Sequence, residues 1–127
     1  MTAIVKASWL PRLLGGITAA YSAAIIVRPE ILAGPCKLTG PGGRAPQSVR
    51  LLTTAIGARD LVNGLAMMLA PPGKPLRTAI AIRVLSDAAD AVAFGSLLPD
   101  HRARIRIGGF AAAWAVLCAV GATTQKA

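Results

Sequence analysis

The sequence AIRVLSDAADA, residues 81–91, decides the fold, because it places charged side chains inside an otherwise apolar run. Arg83 and Asp87 are four residues apart and Asp87 and Asp90 three apart, so on a helix they share one face. We call these three residues the polar stripe. An apolar run of ~20 residues can cross a bilayer, where each charge costs ~2.5–3.5 kcal/mol and needs a partner. We therefore expect the rest of the chain to supply partners for the polar stripe.

Composition predicts a membrane protein. Of the 127 residues 54% are apolar, and the mean hydropathy is +0.59. The apolar residues fall into four blocks with neither heptad nor strand alternation. They predict an all-α, single-domain, four-helix transmembrane bundle with helices at about 9–27, 48–70, 75–98 and 104–123. A soluble bundle would need a polar outer face on every helix, and the first and last blocks have none. We expect an integral, multi-pass protein.

The net charge of +9 arises from 14 basic and 5 acidic residues. Most basic residues flank the apolar blocks, where side chains meet anionic lipid headgroups. No aromatic residues alternate with them, as a nucleic-acid surface would require. The sequence thus favours membrane lipids as partners and disfavours nucleic acid. An oligomer or a partner membrane protein stays open.

The sequence contains none of the common motifs for cofactors or metals. It has no HExxH, CxxC or phosphate-binding loop and no Ser/His/Asp arrangement, and His101 is the only histidine. Cys36 and Cys118 lack metal-ligand spacing, and we expect two free thiols, with a disulfide as the alternative. We predict no metal site and no cofactor, which disfavours redox chemistry and nucleophilic hydrolysis.

The second predicted helix carries its own polar group. Arg59 and Asp60 interrupt its apolar pattern, and Asn63 follows one turn later. The turn PPGK at 71–74 makes the second and third helices a short-looped antiparallel hairpin. This register brings Arg59 and Asp60 to the depth of the polar stripe, so we predict direct contact between the two groups. We expect Asn63 to bond Arg59 or Asp60.

The longest connection, at about 28–47, is rich in glycine and proline. We expect a plain surface connection, with a cover over a cavity as the alternative. From the first helix, Thr18, Tyr21 and Ser22 could reach the polar centre. For Thr18 and Ser22, a hydroxyl bonded to its own helix is the competing interpretation.

The segment GARDLVNG at 57–64, followed by Arg83 and the SDAAD segment at 86–90, resembles a domain-of-unknown-function family of small four-helix integral membrane proteins. The family pattern is a Gly-x-Arg-Asp-x-x-x-Gly helix followed by a helix with spaced Arg and Asp residues. The resemblance covers the second and third helices, and the outer two only by length and apolarity. It implies the fold and a shared polar centre, and no activity.

Two arginines and three aspartates make up the polar centre. Each arginine can pair with one aspartate and so fix how the helices meet. We expect the remaining carboxylate to be unpaired, and therefore to hold a proton or to face water in a cavity. Either state suits proton transfer or ligand binding. The residues predicted for acid–base catalysis are Asp87, Asp90 and Asp60, and those for substrate binding are Arg59, Arg83 and Asn63.

Three function classes follow. The protein could bind, or act by acid–base chemistry on, a hydrophobic small molecule. It could be a proton-coupled carrier working as an oligomer, or an accessory or assembly protein whose Arg/Asp network is purely structural. Whether it is an enzyme stays open. A cavity that reaches Asp87 would favour the first class, and a filled, dry centre the last.

Overall fold

The computed structural model describes residues 2–123, with side chains described from Trp9 onward, and over this range the fold is all-α with no strand. Four helices are long and one is a single short turn. Their bounds are α1, Thr2–Val27; α2, Glu30–Ala33; α3, Gln47–Leu69; α4, Lys74–Leu97; and α5, His101–Thr123. The all-α prediction is confirmed.

Two helix starts differ from the prediction. Helix α1 begins at Thr2 instead of near residue 9 and continues through Pro11, which costs one backbone hydrogen bond without ending the helix. Helix α5 begins at His101 instead of 104. Asp100 is the reason, because its Oδ1 accepts the backbone N–H of Ala103 at 2.8 Å, as an N-cap does.

Glycines divide the long helices into two closely packed pairs, α1 with α3 and α4 with α5. A Cβ atom added to Gly15 would lie 2.7 Å from the carbonyl oxygen of Gly64, and one added to Gly108 would lie 2.8 Å from the Cα of Gly95. Such backbone approach is possible only without side chains at these positions. Helices α3 and α4 are joined by the short connection predicted, but their backbones pack less closely.

The Arg12 side chain of α1 caps the carboxyl end of α3. Its Nη2 donates to the carbonyl of Ala70 at 2.9 Å, and its Nη1 donates to the carbonyl of Met68. A cation at this end of a helix satisfies orphan carbonyls and complements the helix dipole. The α1–α3 pair is thereby fixed at the end next to the α3–α4 turn.

The connection between α1 and α3 is packed onto the helices, contrary to the expectation of a plain surface segment. Cys36 is 1% exposed and clusters with Leu98 and Ala103. Glu30 accepts the backbone N–H of Ala45 at 3.2 Å and lies 3.5 Å from Arg50 Nη1. Apolar contacts therefore hold the segment against α5 and the end of α4. The contacts of Glu30 with Ala45 and Arg50 link the start of the segment to its end.

Both cysteines are free, as predicted, and both are buried. Burial raises the pKa of the Cys36 thiol to about 11. Since the thiolate is the reactive form, Cys36 is a poor nucleophile at neutral pH.

Two of the described helices are long and apolar enough to cross a membrane, α1 from Trp9 onward and α5. Helices α3 and α4, which carry the Arg/Asp groups, are not apolar enough to count as membrane-spanning by the same criterion.

Candidate functional site

Arg83 lies at the centre of an ion-pair network between α3 and α4. Its side chain is 1% exposed. Its Nε and Nη2 donate to the two carboxylate oxygens of Asp87 at 3.0 and 2.7 Å. Its Nη1 lies 3.0 Å from Asp60 Oδ1 on α3. Helical spacing supplies the two-pronged bond to Asp87, and Asp60 links the two helices.

Arg59 continues the network toward the surface. Its Nε donates to the same Asp60 Oδ1 at 2.8 Å, while Nη2 and Nη1 reach the two oxygens of Asp90 at 2.6 and 3.3 Å. Charges therefore alternate along the series Asp87, Arg83, Asp60, Arg59 and Asp90. The predicted contact between the polar groups of the two helices is confirmed.

The expectation of one unpaired carboxylate is wrong, because all three aspartates have an arginine partner. Asp60 lies between Arg59 and Arg83 and forms an ion pair with each, so two guanidinium groups suffice for three carboxylates. Asn63 also differs from the expectation. It donates across to the carbonyl of Ala79 on α4 at 3.0 Å instead of bonding Arg59 or Asp60.

A cavity of about 190 Å³ lies beside the network, where the two helix pairs meet. Its walls come from α1, α3, α4 and α5, and Leu32 of α2 contributes from the long connection. Arg83 and Asp87 form part of the lining. An apolar cavity of ~150 Å³ is large enough to hold benzene. The space beside Arg83 therefore suits a single-ring molecule rather than a whole phospholipid.

Aromatic side chains form much of the remaining wall. The sequence has five aromatic residues, and four of them line the cavity: Tyr21, Phe94, Phe110 and Trp114. Phe110 and Trp114 stack with ring centroids 6.0 Å apart. Trp114 Nε1 also donates to Thr18 Oγ1 at 3.2 Å, which fixes its ring against α1.

The structure brings four of the six predicted site residues to the cavity. The three predicted catalytic residues, Asp60, Asp87 and Asp90, line it together with Arg83. Arg59 and Asn63 instead line a more open depression between α3 and α4.

Tyr21 lines the cavity, as expected of a residue that reaches the polar centre, but sequence reasoning missed the other three aromatic residues of the wall. One signal was present, since Phe94 follows Asp90 by four residues on the face of the polar stripe. Thr18 and Ser22 also line the cavity, as the first interpretation expects. Ser22 in addition donates to the carbonyl of Thr18 at 2.6 Å, so its hydroxyl is bonded to its own helix as well.

One donor in the cavity wall lacks a hydrogen bond. Arg83 Nη1 is buried and has an ion-pair contact with Asp60, but its N–H groups are not aligned for a hydrogen bond. A buried donor without a hydrogen bond lowers stability by ~1–3 kcal/mol. The site thus offers an apolar, aromatic body and a charged, hydrogen-bonding end.

No protein-family model, curated protein or solved structure matches the chain. Among residues 2–123, no group of three or more His, Cys, Asp or Glu side chains could hold a metal ion.

Replacing Arg83 by Ala should lower the free energy of unfolding by about 3–5 kcal/mol, because it leaves buried carboxylates without their partner. Arg28→Ala and Arg44→Ala are the controls, since both arginines are exposed, and they should change little. Thermal melting of the three purified variants in detergent measures this. Equal melting temperatures would mean that the Arg83 guanidinium is solvated.

Proposed function

We propose that this protein is a multi-pass membrane protein that binds a hydrophobic small molecule in the cavity between its helix pairs. The cavity that reaches the buried Arg83 and Asp87 is the observation that carries the proposal. All four long helices cross the bilayer in this proposal, and the long connection and α2 lie at one membrane surface.

The direction in which side chains point supports spanning by α3 and α4. Val62 and Leu85 are 70% and 69% exposed, whereas Arg83 on the same pair of helices is 1% exposed. A mean hydropathy counts the inward charges and the outward apolar groups alike, so it understates how apolar the outer surface is. Exposed apolar surface on every long helix is costly in water and suits a lipid environment.

The cavity supports a binding protein over an accessory protein whose polar centre only sets the fold. A purely structural network would be surrounded by packed side chains, since cores are close-packed. Here the buried end of the network borders open space instead. Apolar walls with a few polar groups at one place are typical of small-molecule sites.

Acid–base chemistry on the bound molecule is a second candidate. Asp87 favours it, because this carboxylate is buried, borders the cavity and could exchange a proton with a ligand held beside Arg83. In this candidate Asp87 moves the proton, and Arg83 positions the Asp87 carboxylate through two hydrogen bonds.

Cysteine labelling tests the membrane topology. In sealed vesicles, Lys74→Cys at the start of α4 and His101→Cys at the start of α5 should react with an impermeant maleimide from opposite faces. Leu85→Cys should stay unlabelled until the protein is denatured, because lipid covers it. The native cysteines are buried and give little background. Ready labelling of Leu85→Cys in vesicles would contradict the proposal.

Ala111→Phe should abolish ligand binding, because Ala111 lines the cavity and a phenyl ring there would fill it. Ala113→Phe, on the exposed side of α5, is the control and should bind normally. In a Trp9→Phe background Trp114 is the sole tryptophan, so saturable quenching by 4-bromobenzyl alcohol measures binding. The proposal fails if a folded parent shows no saturable quenching, or if Ala111→Phe quenches like the parent.

Asp87→Asn tests the acid–base candidate. It should retain probe binding but lose turnover, since an amide cannot transfer the proton. Mass spectrometry of extracts from cells expressing the parent, Asp87→Asn or no protein should show the same accumulated substrate in the last two. Asp100→Asn, which keeps the cap of α5, is the control. A parent-like profile for a well-expressed Asp87→Asn would rule out proton transfer by Asp87.

A further inference from the structure

Charge in the cavity wall is unbalanced, although the network as a whole is nearly neutral. Three carboxylates and one guanidinium line the space, because Arg59 lies outside the lining. Arg59 contacts Asp60 and Asp90 from outside the lining, so with all five groups ionised the three carboxylates and two guanidinium groups leave one net negative charge beside the cavity. A bound carboxylate or phosphate would add like charge in a poorly hydrated space, which is unfavourable. An anionic headgroup is therefore the class of ligand that this wall disfavours.

The arginine in the wall does not reverse this preference. Two of its nitrogens donate to Asp87, and the third lies 3.0 Å from Asp60. Its positive charge is thus neutralised by carboxylates at contact distance. The remaining nitrogen, Nη1, is itself buried, so Arg83 offers no free positive charge to a bound anion.

Aromatic rings supply the second half of a cation site. Tyr21, Phe94, Phe110 and Trp114 surround the same space as the carboxylates. The faces of aromatic rings attract cations, at ~6 Å or less from the ring centroid, and most strongly where water is excluded. Such rings also accept an apolar body, so one wall serves both parts of an amphiphilic molecule.

We propose that the ligand is a lipophilic ammonium cation. Its ammonium group lies among the carboxylates and rings, and its single-ring or similar apolar body fills the rest of the cavity. This inference rests on the proposed function, and it names the class of molecule that the same cavity selects.

Two molecules of matched shape isolate the effect of charge. Choline phenyl ether carries a ring, an ether oxygen and a trimethylammonium group, and 3,3-dimethylbutyl phenyl ether replaces the nitrogen by carbon. Each is titrated against Trp9→Phe protein in nanodiscs with 4-bromobenzyl alcohol bound, and displacement restores Trp114 fluorescence. We expect the cation to displace the probe at about tenfold lower concentration, which corresponds to ~1.4 kcal/mol.

Asp90→Asn separates cavity charge from partitioning into lipid. Arg59 keeps Asp60 as its partner in this variant, so the fold is preserved while the wall loses one negative charge. The cation should bind several-fold more weakly than to the parent, whereas the neutral ether should be unaffected. Asp100→Asn removes a charge outside the cavity and should change neither affinity.

The outcomes distinguish the two proposals. Absence of saturable quenching by 4-bromobenzyl alcohol would overturn the binding function and this inference with it. Saturable quenching, with the two ethers equally effective on the parent and on Asp90→Asn, would leave the binding function intact and overturn the cation inference. Stronger displacement by 4-phenoxybutanoate than by the cation would overturn it as well.

Discussion

A buried guanidinium is the constraint on which this structure depends. Taking Arg83 out of water is costly unless charged partners meet it with good geometry, and α4 alone supplies only Asp87. The third nitrogen requires a carboxylate from another helix, and Asp60 of α3 provides it. This requirement fixes the rotation of α4 and its register against α3. Close backbone packing does not, because these helices approach each other less closely than the two glycine-packed pairs.

The cavity follows from two incompatible spacings. Gly15 with Gly64, and Gly95 with Gly108, draw the helices of each pair into backbone contact. The ion pairs between α3 and α4 instead require room for long side chains, so the two pairs stand apart where the network lies. Bulky rings from α1, α4 and α5 border that gap without filling it. Open space beside the charges is therefore a consequence of small residues within pairs and arginine between them.

The sequence predicted the long helices and the contact between polar groups because both depend on local spacing and one short turn. It could not predict that Asp60 forms ion pairs with two arginines, since tertiary packing decides which carboxylates the side chains of Arg59 and Arg83 contact. Nor could it predict the pairing of α1 with α3. Several small-residue faces are present, and the sequence does not indicate which of them meet. The inward position of the long connection likewise depends on Cys36 finding a buried place between helices.

The overall charge of the chain and the charge of its cavity have opposite signs, and distance explains how both can act. Nine net positive charges belong mainly to residues at the ends of the apolar blocks, where water and salt screen them over ~8–10 Å. Three of the five acidic residues lie in the cavity wall instead, where few solvent molecules screen them. A molecule inside the cavity therefore experiences the charge of its wall, while the membrane surface experiences the basic residues. Selection by charge in the interior and attachment to anionic headgroups at the surface are independent properties of one small protein.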